Sequence, residues 1–189
     1  PKRPIQPVIL AGGKGTRANL DRPKVLAEVF GRPALHHVLD THHSIPGVRP
    51  AALIVSDYRD YDRQIRESLD GRFPAHFVVE TDPQGTGHAV LEACRRMPAL
   101  AEPGLTLLVT EGTQAMMQRA TLIKSLLIHE ALADAAMTMP TARKERPYAY
   151  LVRDEHGFVA DSRETRLENA EIIDDGEDNV SVYLVRSED

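Results

Sequence analysis

A glycine-rich stretch near the amino terminus has the residue types that bind phosphate. It reads VILAGGKGTRANLDRPKVL over residues 8–26, where an apolar run meets three glycines and the cations Lys14, Arg17 and Lys24 follow. Glycines let backbone N–H groups approach a phosphate without side-chain obstruction, at no steric cost in backbone angles. A guanidinium can donate two hydrogen bonds to phosphate oxygens, whereas an ammonium is a point charge. The stretch therefore predicts a phosphate-binding loop.

Two common phosphate-binding loops do not fit this stretch. A Walker A loop needs Gly-Lys-Ser/Thr after four variable residues, but Lys14 here lies between Gly13 and Gly15. The dinucleotide fingerprint needs a third glycine at the position that Ala18 occupies. The loop therefore belongs to another class of phosphate-binding loop.

Strand-like and helix-like patterns alternate along the rest of the chain, which predicts the elements that position this loop. Apolar runs indicate buried strands at residues 7–10, 51–57, 75–81, 105–110 and 135–141. Helical periodicity predicts helices at residues 33–43, 58–69, 87–96 and 120–132, the last with an apolar stripe of Leu122, Leu126, Ile128 and Leu132. A hairpin is predicted over residues 148–164, a solvated acidic turn over 174–179 and a strand over 179–185.

This order predicts an α/β fold with a doubly wound, mostly parallel, Rossmann-like sheet. Helices cover both faces of such a sheet, and the hairpin and last strand form a small β-rich extension. Ligands bind beyond the carboxyl ends of the parallel strands, where the glycine-rich loop would lie.

Composition excludes several classes of protein. The chain has 189 residues, 42% of them hydrophobic, which predicts a single domain, and a net charge of -5 disfavours a nucleic-acid binder. No apolar run is long enough for a membrane span, and no signal peptide is predicted. The single cysteine, Cys94, fits a reducing compartment, so we expect a cytoplasmic location. Residues 154–189 carry a charge of -9 and the remainder +4, so an anionic substrate is expected to prefer the first part.

Two motifs together resemble one family. LAGGKGTR over residues 10–17, followed after five residues by Pro23-Lys24, and QGTGHA over residues 84–89 resemble the sugar-1-phosphate nucleotidyltransferases. These enzymes join a nucleoside triphosphate to a sugar 1-phosphate and release pyrophosphate. The chain is most similar to the pyrophosphorylase domain that makes UDP-N-acetylglucosamine. The resemblance implies the nucleotide-diphospho-sugar transferase fold, with a nucleotide-binding half at residues 1–110 and a sugar-phosphate half at residues 111–189.

The resemblance also implies a role for particular residues. Arg17 and Lys24 would be catalytic, because they stabilise charge on the pyrophosphate and on the α-phosphate. Mg²⁺ would be the cofactor, and UTP or CTP and a sugar 1-phosphate the substrates. The implied nucleotide-binding residues are Leu10, Ala11, Gly12, Gly13, Lys14, Gly15, Thr16, Glu80, Gly85 and Thr86. The implied sugar-binding residues are Ala149, Glu164 and Asn179.

The chain departs from the family pattern at three of its site positions. Glu80 replaces a glutamine that reads uracil, and a carboxylate without an amide donor would favour an exocyclic amine and hence cytosine. Thr113 stands where the family has a magnesium-binding aspartate, and Glu111 is a possible substitute ligand. Ala149 replaces a glycine, and the family's second metal ligand would fall beyond residue 189. We therefore expect weak turnover.

Three interpretations of function stay open. The first is an active nucleotidyltransferase, as described. The second is a catalytically degenerate protein that binds a nucleotide or an NDP-sugar. The third, a variant of the first, is a cytidylyltransferase acting on a small alcohol phosphate. The molybdenum-cofactor guanylyltransferases have a similar loop but lack the QGTGHA stretch, which disfavours that branch.

Overall fold

A six-stranded sheet forms the centre of the larger of two units in the chain. The structure is a computed structural model that describes residues 2–12, 22–57, 60–165 and 170–188. One unit comprises Pro1–Thr138 and Tyr183–Asp189, and the other comprises Met139–Val182. The predicted division at residue 110 stays a prediction. None of the described helices is long and apolar enough to cross a membrane.

The larger unit contains the alternating elements that the sequence predicts. Its strands are β1 (Ile5–Leu10), β2 (Glu28–Val29), β3 (Arg32–Pro33), β4 (Ala52–Asp57), β5 (Ala75–Glu80), β6 (Thr106–Glu111), β7 (Met137–Thr138) and, after the smaller unit, β12 (Val182–Arg186). Its helices are α1 (Ala34–His43), α2 (Tyr61–Leu69), α3 (Thr86–Arg96) and α4 (Arg119–Ala131). The six-stranded sheet has the order β5-β4-β1-β6-β12-β7. Strands β5, β4, β1 and β6 run parallel, whereas β12 and β7 pair antiparallel.

Two apolar clusters lie on opposite faces of this sheet. Side chains alternate between the faces of a strand, so Val8 packs in one cluster and Ile9 in the other. The cluster that contains Val8 includes Ala89 and Ala93 of α3, and the cluster that contains Ile9 includes residues of α1 and α2. Helices thus cover both faces, and the predicted doubly wound α/β fold is confirmed.

The predicted apolar stripe of α4 is partly wrong. Leu122 and Leu126 are buried, but Ile128 and Leu132 are 42% and 52% exposed. Residues two positions apart on a helix point about 200° apart, so Ile128 cannot share a face with Leu126. The buried face instead includes Ser125 and His129, at helical spacing from the two leucines. A stripe chosen by hydrophobicity alone missed these polar members.

The smaller unit is a four-stranded antiparallel sheet, and it corrects two predictions. Its strands are β8 (Thr141–Glu145), β9 (Ala149–Arg153), β10 (Val159–Glu164) and β11 (Asp175–Asn179), in the order β10-β9-β11-β8. Residues 175–179, predicted as a solvated acidic turn, form β11. The strand predicted over residues 179–185 is also wrong as a single element, because β11 ends at Asn179 and β12 begins at Val182 in the other sheet.

Basic residues on neighbouring strands explain why the acidic run forms a strand. Arg153 donates two hydrogen bonds to Glu177, with its Nε 2.7 Å from Oε2, and Lys144 pairs with the buried Asp178. Hydrogen bonds from Arg153 and then Thr141 lower the pKa of Glu177 to about 2. Cross-strand pairs of opposite charge stabilise a sheet, and they replace the solvation that a turn would give. At Ser181 the backbone takes a φ of 56°, which separates β11 from β12.

We predict that His42 destabilises the fold in acid. Its side chain is 1% exposed, and burial, followed by the neighbouring His43, lowers its pKa from 6.5 to about 3. Between these two pKa values the unfolded chain binds a proton that the folded chain does not, so stability falls as the pH falls from 6.5 towards 3. At pH 5.5 this lowers the free energy of unfolding by about 1.4 kcal/mol. A glutamine cannot titrate. In His42→Gln, the free energy of unfolding measured in urea should therefore fall by about 1.4 kcal/mol less between pH 7.5 and pH 5.5 than in the unmodified chain.

A matched substitution separates this effect from general acid sensitivity. His42 Nε2 lies 3.2 Å from the Thr110 hydroxyl, and a glutamine amide can occupy the same position. His156→Gln, at an exposed position, should leave the pH dependence as it is. If His42→Gln loses stability in acid as steeply as the unmodified chain, His42 is not the group responsible.

Candidate functional site

An open pocket lies at the carboxyl ends of three parallel strands. Its volume is about 260 Å³. Strands β1, β5 and β6 and the start of α3 contribute to it. The lining residues are Leu10, Gly12, Lys24, Glu80, Pro83, Gly85, Thr86, Ala89 and Glu111. The pocket therefore occurs at the edge where the sequence predicts ligand binding, and seven predicted site residues line it.

Lys24 reaches this pocket from a short, well-anchored turn. Residues Lys24–Leu26 form a single turn of 3-10 helix, closed by a hydrogen bond from the Ala27 N–H to the Lys24 carbonyl (3.0 Å). Val25 is fully buried in the same cluster as Ile9, whereas Lys24 is half-buried. The buried valine fixes the turn, so the ammonium is held at the pocket without an ion pair among the described residues.

The start of α3 presents backbone donors to the pocket. Gly85 precedes the helix with φ 114° and ψ 177°, a conformation that a residue with a Cβ rarely adopts. Within the described part of the chain no side chain caps the first N–H groups of α3, and Thr86 is exposed at the pocket. Uncapped N–H groups at a helix start favour an anionic or polar ligand, because they have no intrahelical acceptor.

Glu80 ends β5 as a buried carboxylate. Its side chain is 7% exposed, and its Oε1 lies 2.5 Å from Nδ1 of His88, which is 24% exposed on α3. Because an ionised carboxylate only accepts hydrogen bonds, the histidine nitrogen must donate to it. The histidine of the QGTGHA motif thus contacts the residue expected to read the base.

Glu111 and Thr113 follow the end of β6. Glu111 is half-buried and lines the pocket, whereas Thr113 does not line it; the Thr113 hydroxyl lies 3.5 Å from Glu111 Oε2. Among the described residues Glu111 has no cationic partner within ion-pair distance. The structure therefore places a carboxylate at the pocket, two residues before the position where the family resemblance expects one.

Gly112, between these two residues, lies in close contact with the core. A Cβ on Gly112 would lie 2.8 Å from Cγ1 of Val25 and 3.2 Å from Cγ2 of Ile9. Only a residue without a side chain lets β6 end this close to the turn that carries Lys24. Gly112 was not among the predicted site residues, although its place directly after Glu111 in the sequence could have pointed to it.

The predicted sugar-binding residues all belong to the smaller unit. The Tyr148 hydroxyl donates to Glu164 (3.0 Å), and the Ser181 N–H donates to Asn179 Oδ1 (2.9 Å). Ala149 is buried, with its N–H 3.4 Å from Asp178 Oδ1. Their role in binding a sugar stays a prediction.

Several predicted residues are not in the pocket or fall outside the described residues. Ala11 is buried, and its N–H donates to the Val55 carbonyl (2.7 Å) instead of lining the pocket. Sequence reasoning did not select Pro83 or Ala89, which form apolar walls of the pocket. Five predicted site residues lie outside the described ranges, namely Gly13, Lys14, Gly15, Thr16 and Arg17.

A doubly wound sheet with a pocket at its carboxyl edge defines an α/β protein of the class that binds its ligands at this edge. The chain belongs to the MobA-like NTP transferase family, whose domain model matches residues 7–171. It is 32% identical over 191 residues to the bifunctional protein GlmU of Sorangium cellulosum, a match that covers 97% of this chain and 39% of that protein. The chain thus spans about two-fifths of the length of that relative. These matches confirm the predicted resemblance to nucleotidyltransferases.

Solved structures share the fold at lower identity. A CMP:2-keto-3-deoxy-manno-octonic acid synthetase complexed with CTP superposes with a TM-score of 0.69 at 14% identity, over 97% of this chain and 74% of that one. A UDP-glucose pyrophosphorylase complexed with UDP-glucose superposes with a TM-score of 0.67 at 12% identity, over 97% of this chain and 76% of that one. At these identities the likeness concerns the fold, which is the predicted nucleotide-diphospho-sugar transferase type.

We predict that Gly112→Ala damages both the fold and the pocket. The added methyl group must displace Val25, which costs about 1–3 kcal/mol in a packed core and moves the turn that carries Lys24. Urea unfolding should report the loss of stability. Gly87→Ala is the comparison, because a Cβ there meets nothing within 4 Å and Gly87 lies within α3. Equal stability of the two variants would show that the contact with Val25 relaxes freely.

Proposed function

We propose that the chain is a nucleotidyltransferase that transfers a nucleoside monophosphate from a nucleoside triphosphate to a sugar 1-phosphate and releases pyrophosphate. The carrying observation is the pocket at the carboxyl ends of β1, β5 and β6, in which Lys24, the uncapped start of α3 and two carboxylates converge. Membership of the NTP transferase family supports nucleotidyl transfer as the reaction.

The proposed chemistry needs charge stabilisation rather than proton transfer. An anionic oxygen of the sugar phosphate attacks the α-phosphorus, a new P–O bond forms, and the bond to the β-phosphate breaks in line with it. Lys24 is proposed to neutralise charge on the α-phosphate as it develops. The loop residues Gly12 to Thr16 and Arg17 are proposed to hold the β- and γ-phosphates that leave as pyrophosphate. No general base is required.

Glu111 is the residue proposed to hold Mg²⁺. The described residues contain no cluster of three His, Cys, Asp or Glu that could bind a metal by itself. Mg²⁺ commonly uses one or two carboxylates, several waters and substrate phosphates, and a single half-buried carboxylate without a cationic partner fits that pattern. The ion would offset the negative charge of the phosphates next to Glu111. The Thr113 hydroxyl contributes no charge, so affinity for the ion is expected to be low.

Ala149, Glu164 and Asn179 are the residues proposed to bind the sugar phosphate. The hydrogen bond from Tyr148 orients Glu164, and the Ser181 N–H orients Asn179. A carboxylate and an amide so held can select among sugar hydroxyl groups.

One observation favours a second function. Thr113 provides no carboxylate where the family resemblance implies one, which suits a protein that binds a nucleotide or an NDP-sugar with little turnover. A cytidylyltransferase acting on a small alcohol phosphate is a variant of the first proposal. It would show pyrophosphate release with an alcohol phosphate in place of a sugar 1-phosphate.

We predict that Lys24→Ala lowers pyrophosphate release at least tenfold, about 1.4 kcal/mol of transition-state stabilisation. The assay uses four nucleoside triphosphates and a panel of sugar 1-phosphates and alcohol phosphates, with and without Mg²⁺. Lys124→Ala, which removes an exposed cation from α4, is the matched control and should retain turnover. Triphosphate binding without pyrophosphate release from any acceptor would support the second function. Equal turnover of the two variants would remove Lys24 from the mechanism.

We predict that Thr113→Asp tightens divalent-metal binding at least tenfold, because a second carboxylate would lie beside Glu111. The readout is Mn²⁺ binding to the chain alone, followed by electron paramagnetic resonance, with Mg²⁺-dependent turnover measured in parallel. Combining Thr113→Asp with Glu111→Gln in one variant should abolish this gain in metal affinity.

Thr121→Asp, on α4, is the control for a carboxylate added elsewhere, and it should leave Mn²⁺ affinity unchanged. Robust Mg²⁺-dependent turnover of the unmodified chain would contradict the expected weak metal site. Retention of that turnover by Glu111→Gln would further exclude Glu111 as the ligand.

A further inference from the structure

Strand order determines which end of the pocket suits the base. Adjacent strands lie about 4.8 Å apart, so β5 ends about 10 Å from β1, whereas β6 ends directly beside β1 on the other side. The phosphate-binding elements Gly12 and Lys24 line the pocket along with the end of β1. A nucleotide whose phosphates lie there can extend its base toward β5. At that end the pocket is lined by Glu80 and the apolar side chains of Pro83 and Ala89.

We infer that Glu80 and His88 form a base-selecting pair that accepts a base with an amine on its hydrogen-bonding edge and rejects uracil. The inference rests on the proposed function and specifies its nucleotide. Cytosine, adenine and guanine share the required chemistry, since each offers an exocyclic amine, whereas uracil has none. A carboxylate can only accept hydrogen bonds, so a uracil whose O4 takes the place of that amine would bring two acceptors into contact.

His88 is the positioning residue of this pair. Its Nδ1 lies 2.5 Å from Glu80 Oε1, so that oxygen already accepts one hydrogen bond. The bond fixes the carboxylate in a nearly buried site, where an unpaired charge would be costly. Oε2 is then the acceptor that remains for a base. A hydrogen bond to a charged group in such a site discriminates strongly, because the wrong base leaves the buried acceptor unpaired.

A binding experiment separates base selection from triphosphate binding. Calorimetry measures the affinities of CTP, GTP, ATP and UTP, with inorganic tripolyphosphate as a probe that has no base. We expect at least one of CTP, ATP and GTP, the three triphosphates whose bases carry an amine, to bind the unmodified chain at least tenfold tighter than UTP. Glu80→Gln should bring UTP level with them, because an amide can also donate. Tripolyphosphate should bind the unmodified chain and the Glu80→Gln variant with equal affinity.

His88 variants test the positioning role. His88→Ala should cut the preference over UTP at least threefold, and His88→Asn should restore it, because the asparagine amide nitrogen occupies nearly the place of Nδ1 and can donate to Oε1. A packing role alone would give no such rescue. His76→Ala, an exposed histidine on β5, is the control and should leave the preference unchanged.

The outcomes distinguish the two levels of the proposal. UTP binding as tight as CTP, ATP and GTP, with tripolyphosphate also bound, overturns the pair and leaves the proposed function standing. A preference that survives His88→Ala overturns the role of His88. Failure of every triphosphate and of tripolyphosphate to bind overturns the proposed function and the pair with it.

Discussion

The burial of β1 between two parallel neighbours is the constraint on which the site depends. All six residues of β1 are buried, and its register pairs Leu10 with Val55 of β4 and with Glu111 of β6. Pro7 lacks an N–H group, yet it lies inside this strand. Pairing with β4 begins at Val8, and the Gln6 amide donates to the Ala51 carbonyl (2.9 Å) before that point. The carboxyl end is thereby held in register on both sides, and this fixes where Gly12 and Glu111 leave the sheet.

The pocket at this edge combines groups that would repel one another without a ligand or a partner. Glu80 and Glu111 are carboxylates on either side of β1, in the pocket proposed to take the phosphates. Glu80 has His88 as a partner, but Glu111 has no cationic partner among the described residues. This difference in partners is why we propose Glu80 for base recognition and Glu111 for a cation. Glu80 gains its partner because α3 follows β5 in the chain and its His88 contacts the end of that strand.

Sequence patterns predicted the parallel core well and the remainder less well. Strands β1, β4, β5 and β6 and all four helices occur where apolar runs and periodicity placed them, because burial on both faces leaves a strong signal. The stabilisation of β11 depends on Arg143, Lys144 and Arg153, which are distant in sequence, so its acidic run resembled a turn. Most of the pocket residues that the sequence predicted belong to its two motifs, the glycine-rich loop with Lys24 and the QGTGHA stretch, so local sequence was enough to find them. The contact between His88 and Glu80 depends on how α3 packs beside β5, which no local pattern contains.

The distribution of charge between the folded units could not be predicted from the order of residues along the chain either. Residues 154–189 carry -9 and the remainder +4, and this contrast suggested that an anion would prefer the first part. The folded units divide the charge differently, because Arg143, Lys144, Arg146 and Arg153 belong to the same unit as the acids of β11. The larger unit then has 17 acidic residues and 17 Lys and Arg residues, and so no net charge. Any attraction for phosphate would therefore be local and short-ranged, because a unit without net charge has no long-range field of one sign and salt screens individual charges over a Debye length of about 8 Å. Lys24 and the backbone N–H groups at the carboxyl edge, rather than a long-range field, are what a triphosphate would meet.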